Sequence, residues 1–266
     1  MTELVATEVR NLSNGRVGIL KLNRPDQRNP LDKETMIALN RKMDGFLADG
    51  SVKSVVVTGE GSAFSAGGDL KAYLDLYLDE AAFRRFLASI KEFFDKLENS
   101  RLISIAAVNG TCVAGGFEMA LACDLIVMSR TAKMGDGHLR YWQLPGGGGT
   151  QRLPRAIGVA AAKQILYSYE LFDAERWRAW GLTAATFEPG EFMADTLAFA
   201  DRLMTTESDT VSVLKRLLKV AAEKPLAEGL DIEIDEVVGH AVGADATAYR
   251  GLLRFSERPR TKPNTK

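Results

Sequence analysis

Four short apolar runs punctuate the first half of the chain. Residues 17–22 (Val-Gly-Ile-Leu-Lys-Leu) stop at Asn23-Arg24-Pro25, and residues 52–58 (Val-Lys-Ser-Val-Val-Val-Thr) stop at a Gly-Glu-Gly turn. Residues 103–108 stop at Asn109-Gly110, and residues 125–128 are apolar throughout. Runs of this length without alternation predict strands covered on both faces. Between them the apolar positions return at helical spacing. Residues 32–47 set Met36, Leu39, Met43 and Leu47 behind an acidic first turn, and residues 82–97 align Phe83, Phe86, Leu87, Ile90, Phe94 and Leu97 on one face. Beyond about Pro154 the strand pattern gives out. Residues 156–167, 174–180, 192–204, 210–222, 226–240 and 244–255 all read as helices. The prediction is an α/β protein whose alternating first half is followed by an all-helical second half. No linker, repeat or low-complexity stretch separates the halves, and the basic, proline-containing end after Glu257 reads as a frayed tail.

Composition narrows the function classes. Of the 266 residues 46% are hydrophobic, enough for a substantial core in one large domain or a core with a helical appendage. Lys plus Arg (34) balances Asp plus Glu (35), so the basic footprint of a nucleic-acid binder is missing. Cys112 and Cys123 sit in apolar sequence and read as free buried thiols. Two cysteines and two histidines at these spacings build no four-ligand metal site. The opening Met-Thr-Glu-Leu-Val has no basic or apolar leader pattern, and no apolar run is long enough for a bilayer. A cytoplasmic protein with no membrane contact is expected.

Two turns carry the candidate chemistry. Ala63-Phe64-Ser65-Ala66-Gly67-Gly68-Asp69-Leu70-Lys71 follows the second strand and opens a helical pattern. Asn109-Gly110-Thr111-Cys112-Val113-Ala114-Gly115-Gly116-Phe117-Glu118 follows the third and does the same. A strand, a small-residue turn and a helix start leave backbone N–H groups without partners, and such groups can bind an anion or an oxyanion. Each turn alone is an ordinary strand-to-helix connection. Together they offer two donors that can meet on one oxygen. Gly146 to Gly149 resembles a phosphate loop but lacks the Gly-Lys-Ser/Thr ending, and reads as tight packing at a helix start.

These residues resemble the crotonase superfamily, the enoyl-CoA hydratases and isomerases. Leu22-Asn23-Arg24-Pro25 with Asn29-Pro30-Leu31 is similar to its N-terminal motif. The two turns are similar to its two oxyanion turns, the second followed by Ala122-Cys123-Asp124-Leu125. Leu144-Pro145 through Arg152-Leu153 is similar to its glycine-rich helix start. The resemblance covers residues 17–258. It implies a core of stacked ββα turns in a spiral (residues 1–195) that binds acyl-CoA, followed by a helical region (196–266) used for trimerisation. It implies a homotrimer or a dimer of trimers, and coenzyme A as part of the substrate with no separate cofactor.

The resemblance also implies roles. Gly68 and Gly115 supply the backbone N–H groups of the oxyanion hole. Glu118 matches one of two catalytic glutamates; a helix-start Glu favoured by the dipole is the alternative. The second glutamate falls on His138, in Gly135-Asp136-Gly137-His138. A histidine whose free pKa is about 6.5 suits acid or base work, and a hydrogen-bonded structural residue is the alternative. Asp136, two residues earlier, is placed to orient it or to act itself. Arg28, Ala66 and Lys71 match coenzyme A contacts, and Phe255 with Arg258 match a segment that reaches a neighbouring subunit's coenzyme A. A solvated surface charge is the alternative for Lys71 and Arg258. Tyr141 and Trp142 are assigned to the acyl pocket or the core, Tyr73 and Tyr77 to a pocket for a bulky or cyclic acyl group, and His240 to structure. Hydration of an α,β-unsaturated acyl-CoA through a stabilised enolate is the expected activity. The alternatives are enoyl-CoA isomerisation, C–C hydrolysis or decarboxylation, and a silent acyl-CoA-binding subunit.

Overall fold

The computed structural model describes residues 3–257. They divide into two compact units between Thr205 and Thr206.

The first unit opens with β1 (Val5–Asn11), β2 (Arg16–Leu22) and α1 (Lys33–Ala48). Then the same step repeats. It runs through β3 (Val52–Gly59), β4 (Ala63–Ser65), α2 (Leu70–Leu76) and α3 (Glu80–Asn99). It recurs as β5 (Ile103–Val108), β6 (Thr111–Val113) and α4 (Gly115–Leu121), and again as β7 (Leu125–Ser129), β8 (Lys133–Gly135), α5 (Gly149–Ile157) and α6 (Val159–Ser168). The unit closes with β9 (Phe172–Asp173), α7 (Ala174–Ala179), β10 (Thr183–Phe187) and α8 (Phe192–Leu203). In each repeat the long strand joins a six-stranded sheet ordered β1-β2-β3-β5-β7-β10, and the short one joins a four-stranded sheet ordered β4-β6-β8-β9. These are the stacked ββα turns that the resemblance implies.

The long strands are buried on both faces, which is why their sequences do not alternate. Val55 and Val57 belong to the main core with Met36, Leu39, Phe93 and Phe94 from α1 and α3. Val56 points the other way, into a second cluster with Val17, Ile105, Val127 and, from α8, Phe192 and Ala200. The helices start on side-chain caps. Asp32 accepts from the Thr35 N–H at 2.9 Å, Asp69 from Lys71 and Ala72, and Asp79 from Ala82 at 2.9 Å.

The expectation that strands stop after Pro154 is corrected. β9 and β10 both lie beyond it, and β10 is an edge strand of the large sheet. Its Thr-Ala-Ala-Thr-Phe sequence gives no apolar run because only Thr183 is buried. The helix expected over 156–167 is two helices, broken at Gly158, whose φ is +82°. The second unit holds α9 (Ser208–Glu223), α10 (Leu226–Ala241) and α11 (Thr247–Ser256). In it His240 Nε2 meets Thr210 Oγ1 at 3.2 Å, joining α9 to α10. Cys112 and Cys123 are buried thiols that form no disulfide. Among the described residues no helix is long and apolar enough to cross a membrane.

Trp177 on α7 ties the small sheet to the core. It is fully buried, its ring lies 5.3 Å from Phe117, and its indole N–H donates to the Met134 carbonyl at 2.9 Å. Trp177→Phe removes the donor and leaves that carbonyl and a void behind. The expected cost is about 3 kcal/mol, read as a lower urea midpoint with an unchanged slope.

Candidate active site

The short strands β4, β6 and β8 run parallel as neighbours, with Ser65 opposite Cys112, Cys112 opposite Met134 and Val113 opposite Gly135. Their carboxyl ends therefore lie side by side. From them emerge Gly67-Gly68, Ala114-Gly115 and Asp136-Gly137-His138. The pairing brings together three segments that are far apart in sequence.

The first two turns pack in direct contact. A β-carbon placed on Gly67 (φ +85°) would fall 2.8 Å from the Ala114 β-carbon and 3.0 Å from the Gly115 nitrogen. Only glycine fits there. Asn29 holds the first turn from behind, donating to the carbonyls of Ala63 (2.8 Å) and Glu60 (2.9 Å). Ser65 Oγ donates to the Asn29 carbonyl at 2.8 Å and accepts from Gly67 N–H at 3.1 Å. On the second turn Ala114 has φ 53° and ψ −121°. Such backbone costs an alanine on the order of 1–3 kcal/mol, and it sits immediately before Gly115. Gly115 is the first residue of α4, so its N–H has no acceptor within the helix. Nothing in the alanine's identity announced that conformation.

Glu118 lies one turn into α4 and is buried. Its Oε1 accepts from the N–H groups of Gly147 and Gly149, both at 2.8 Å. The glycine run, expected only to pack a helix start, thus grips the carboxylate. Oε2 faces His138 Nε2 at 3.7 Å, too long for a hydrogen bond. On the other side of the ring, Asp136 Oδ2 meets Nδ1 at 2.8 Å, and Oδ1 accepts from the His138 backbone N–H at 3.0 Å. The result is a row of carboxylate, imidazole and carboxylate. Burial pushes the Glu118 carboxyl above its usual range, more than the His138 charge and the two glycine N–H groups pull it down. Burial alone would lower the His138 pKa, but the hydrogen bond and charge of Asp136, joined by Glu118, outweigh it and hold the imidazole above its ordinary value.

Gly68, Gly115, Glu118 and His138 line one cavity of about 30 Å³, room for one or two water molecules. Tyr73 and Tyr77 line it too. Tyr73 lies against Gly68 so closely that a β-carbon there would come within 2.1 Å of its hydroxyl. Phe83 and Phe86 of α3 hold the Tyr73 ring edge-on at 6.4 and 5.7 Å. Tyr141 and Trp142, assigned to the pocket or the core, lie in neither; they are 57% and 94% exposed. Trp142 ends a short 3-10 turn with φ 56°, which takes it away from the cavity. Of the residues matched to coenzyme A contacts, Arg28 and Lys71 are exposed and Ala66 is half-buried. Ala66 N–H donates to the Arg28 carbonyl at 2.8 Å, so these two are neighbours beside the first turn. Phe255 lies on α11 of the second unit and is exposed. Arg258 lies outside the described residues.

Comparisons with known proteins point one way. The sequence profile of a family described as enoyl-CoA hydratase/isomerase matches residues 13–264. A probable enoyl-CoA hydratase of Rhizobium meliloti (strain 1021) is 33% identical over 221 residues, 83% of this chain and 84% of that protein. A crotonyl-CoA hydratase of Syntrophomonas wolfei is 33% identical over 232 residues, covering 87% and 85%. Among solved structures, an enoyl-CoA hydratase from Bacillus anthracis superposes with a TM-score of 0.86 at 27% identity, covering 96% of each chain.

Asp136→Asn removes the charge that raises the imidazole, so the His138 pKa is expected to fall. Only two histidines occur in the chain, so ring-proton NMR titration resolves them. The sign for stability follows. A folded pKa above the unfolded one stabilises below about 6.5 and is lost as pH rises through the folded value. The variant should lose less stability across that window.

Proposed function

The chain belongs to the enoyl-CoA hydratase/isomerase family, and on that premise we propose that it adds water across the double bond of an α,β-unsaturated acyl-CoA. The observation that carries this reading is the buried row Asp136–His138–Glu118 beside the two glycine turns. The thioester oxygen accepts from the N–H groups of Gly68 and Gly115, which stabilise the enolate as it forms. The proton roles follow from hydrogen bonding. Glu118 Oε1 is occupied by two glycine N–H groups, so Oε2 is the free base. It takes a proton from water as the water oxygen bonds to the β-carbon. His138, held towards its charged form by Asp136, gives its Nε2 proton to the α-carbon. The two groups face each other at 3.7 Å, and return of the proton from Oε2 to Nε2 resets the pair. Arg28 and Lys71 contribute positive charge to the coenzyme A phosphates beside Ala66, and Phe255 with Arg258 reach the coenzyme A of a neighbouring subunit.

The active form in this reading is a homotrimer or a dimer of trimers. It is supported by apolar side chains on α9, α10 and α11 that lie exposed, among them Leu214, Leu218, Ile234, Val237 and Leu252. Light scattering should return three or six times the chain mass of 29.0 kDa; a monomer would overturn the assembly.

Loss of the conjugated-thioester absorbance of crotonyl-CoA tests the reaction. Wild type should consume it. Glu118→Gln and His138→Ala should each lose about 10²- to 10⁴-fold in kcat. Full activity in Glu118→Gln would sink the mechanism. A stable absorbance, with conversion of a β,γ-enoyl thioester instead, would reassign the chain to isomerisation.

A further inference from the structure

We propose that Arg152, backed by Glu98, is a positioning residue that holds the glycine loop against Glu118. The proposal rests on the catalytic reading of Glu118 given above. Two N–H groups fix Glu118 Oε1, those of Gly147 and Gly149. Between them in the chain stands the Gly147 carbonyl, which accepts from Arg152 Nη1 at 2.8 Å. The guanidinium is itself held. Nη2 meets Glu98 Oε2 at 2.9 Å, Nε meets Oε1 at 3.4 Å, and the group lies 6.0 Å from the Phe94 ring centre. A two-pronged pair of this kind fixes orientation as well as distance.

The three glycines mark the three neighbours of the loop. A β-carbon on Gly147 would stand 2.8 Å from Phe94 Cε2 and 3.0 Å from Glu118 Oε2. On Gly148 it would stand 2.2 Å from Arg152 Nη1. On Gly149 it would stand 3.2 Å from Glu118 Oε1. The loop therefore lies against both the carboxylate and the guanidinium. The backbone closes the clamp, since Arg152 N–H donates to the Gly148 carbonyl at 2.8 Å. Glu98 lies in the last turn of α3 and Arg152 in the first turn of α5, so the pair also joins two helices. A plain helix tie would matter for stability alone. A positioning role reaches the carboxylate, because the same N–H groups lower the Glu118 pKa. Loosening the loop removes that influence and moves the value up.

The test compares Arg152→Gln, Glu98→Gln and Glu118→Gln in the full chain, with crotonyl-CoA hydration followed against pH. Arg152→Gln is expected to lower kcat about 10- to 100-fold, as small misplacements of a reacting group do, with KM little changed. The pH limb belonging to Glu118 should move to higher pH. Glu98→Gln should shift both in the same direction by less. Wild-type kcat and an unmoved limb in these two variants, with only the melting temperature lowered, would overturn the proposal and leave a helix tie. Should Arg152→Gln not fold, Glu98→Gln decides on the same two readouts, since its side chain is 43% exposed. Glu118→Gln separates the two claims. If it is inactive while the other two are normal, the positioning role alone fails. If it keeps full turnover, the catalytic reading fails and the positioning role with it.

Discussion

The parallel pairing of β4, β6 and β8 is the constraint on which the site depends. Neighbouring strands lie about 4.8 Å apart, so whatever leaves their ends arrives at that spacing. One strand delivers Gly68, the next Gly115 and then Glu118, the third Asp136 and His138. The strands are too short to be stable alone. They keep their register because each is the second strand of a repeat whose first strand is locked in the large sheet.

A carboxylate buried at such a junction is costly unless its charge is met. The chain meets it with dipoles and a switchable cation. Two glycine N–H groups saturate one oxygen of Glu118, and the imidazole of His138 faces the other. Asp136 then stabilises the imidazolium. The compensation is incomplete, which keeps the Glu118 carboxyl above its usual range. That suits the proton-transfer role proposed for it.

Much of this was legible in the sequence. Long strands buried on both faces read directly as unbroken apolar runs, and the helices of α1 and α3 read from their spacing. Gly68, Gly115, Glu118 and His138 were marked by the turns and the family resemblance, and they share one cavity. Strands of two or three residues carry no periodicity, so the small sheet was invisible. β1 and β10 are half-exposed edges, where polar residues dilute the pattern. Gly147 and Gly149 looked like packing because their partner, Glu118, is about thirty residues away in the chain and is brought to them only by tertiary contact. Trp142 looked like a pocket or core residue by its chemistry; the left-handed residue at the end of a 3-10 turn turned it outward.

Each repeat of the spiral contributes a separable part. In the proposed reaction the first supplies one hydrogen-bond donor, the second the other donor and one acid/base group, and the third the proton partner. The segment bearing His138 leaves β8 and shares no backbone with either donor turn. Its side chain can be exchanged without altering the backbone of either donor turn. A scaffold divided in this way can acquire a new reaction by rewriting one loop, without having to reinvent how it stabilises its intermediate.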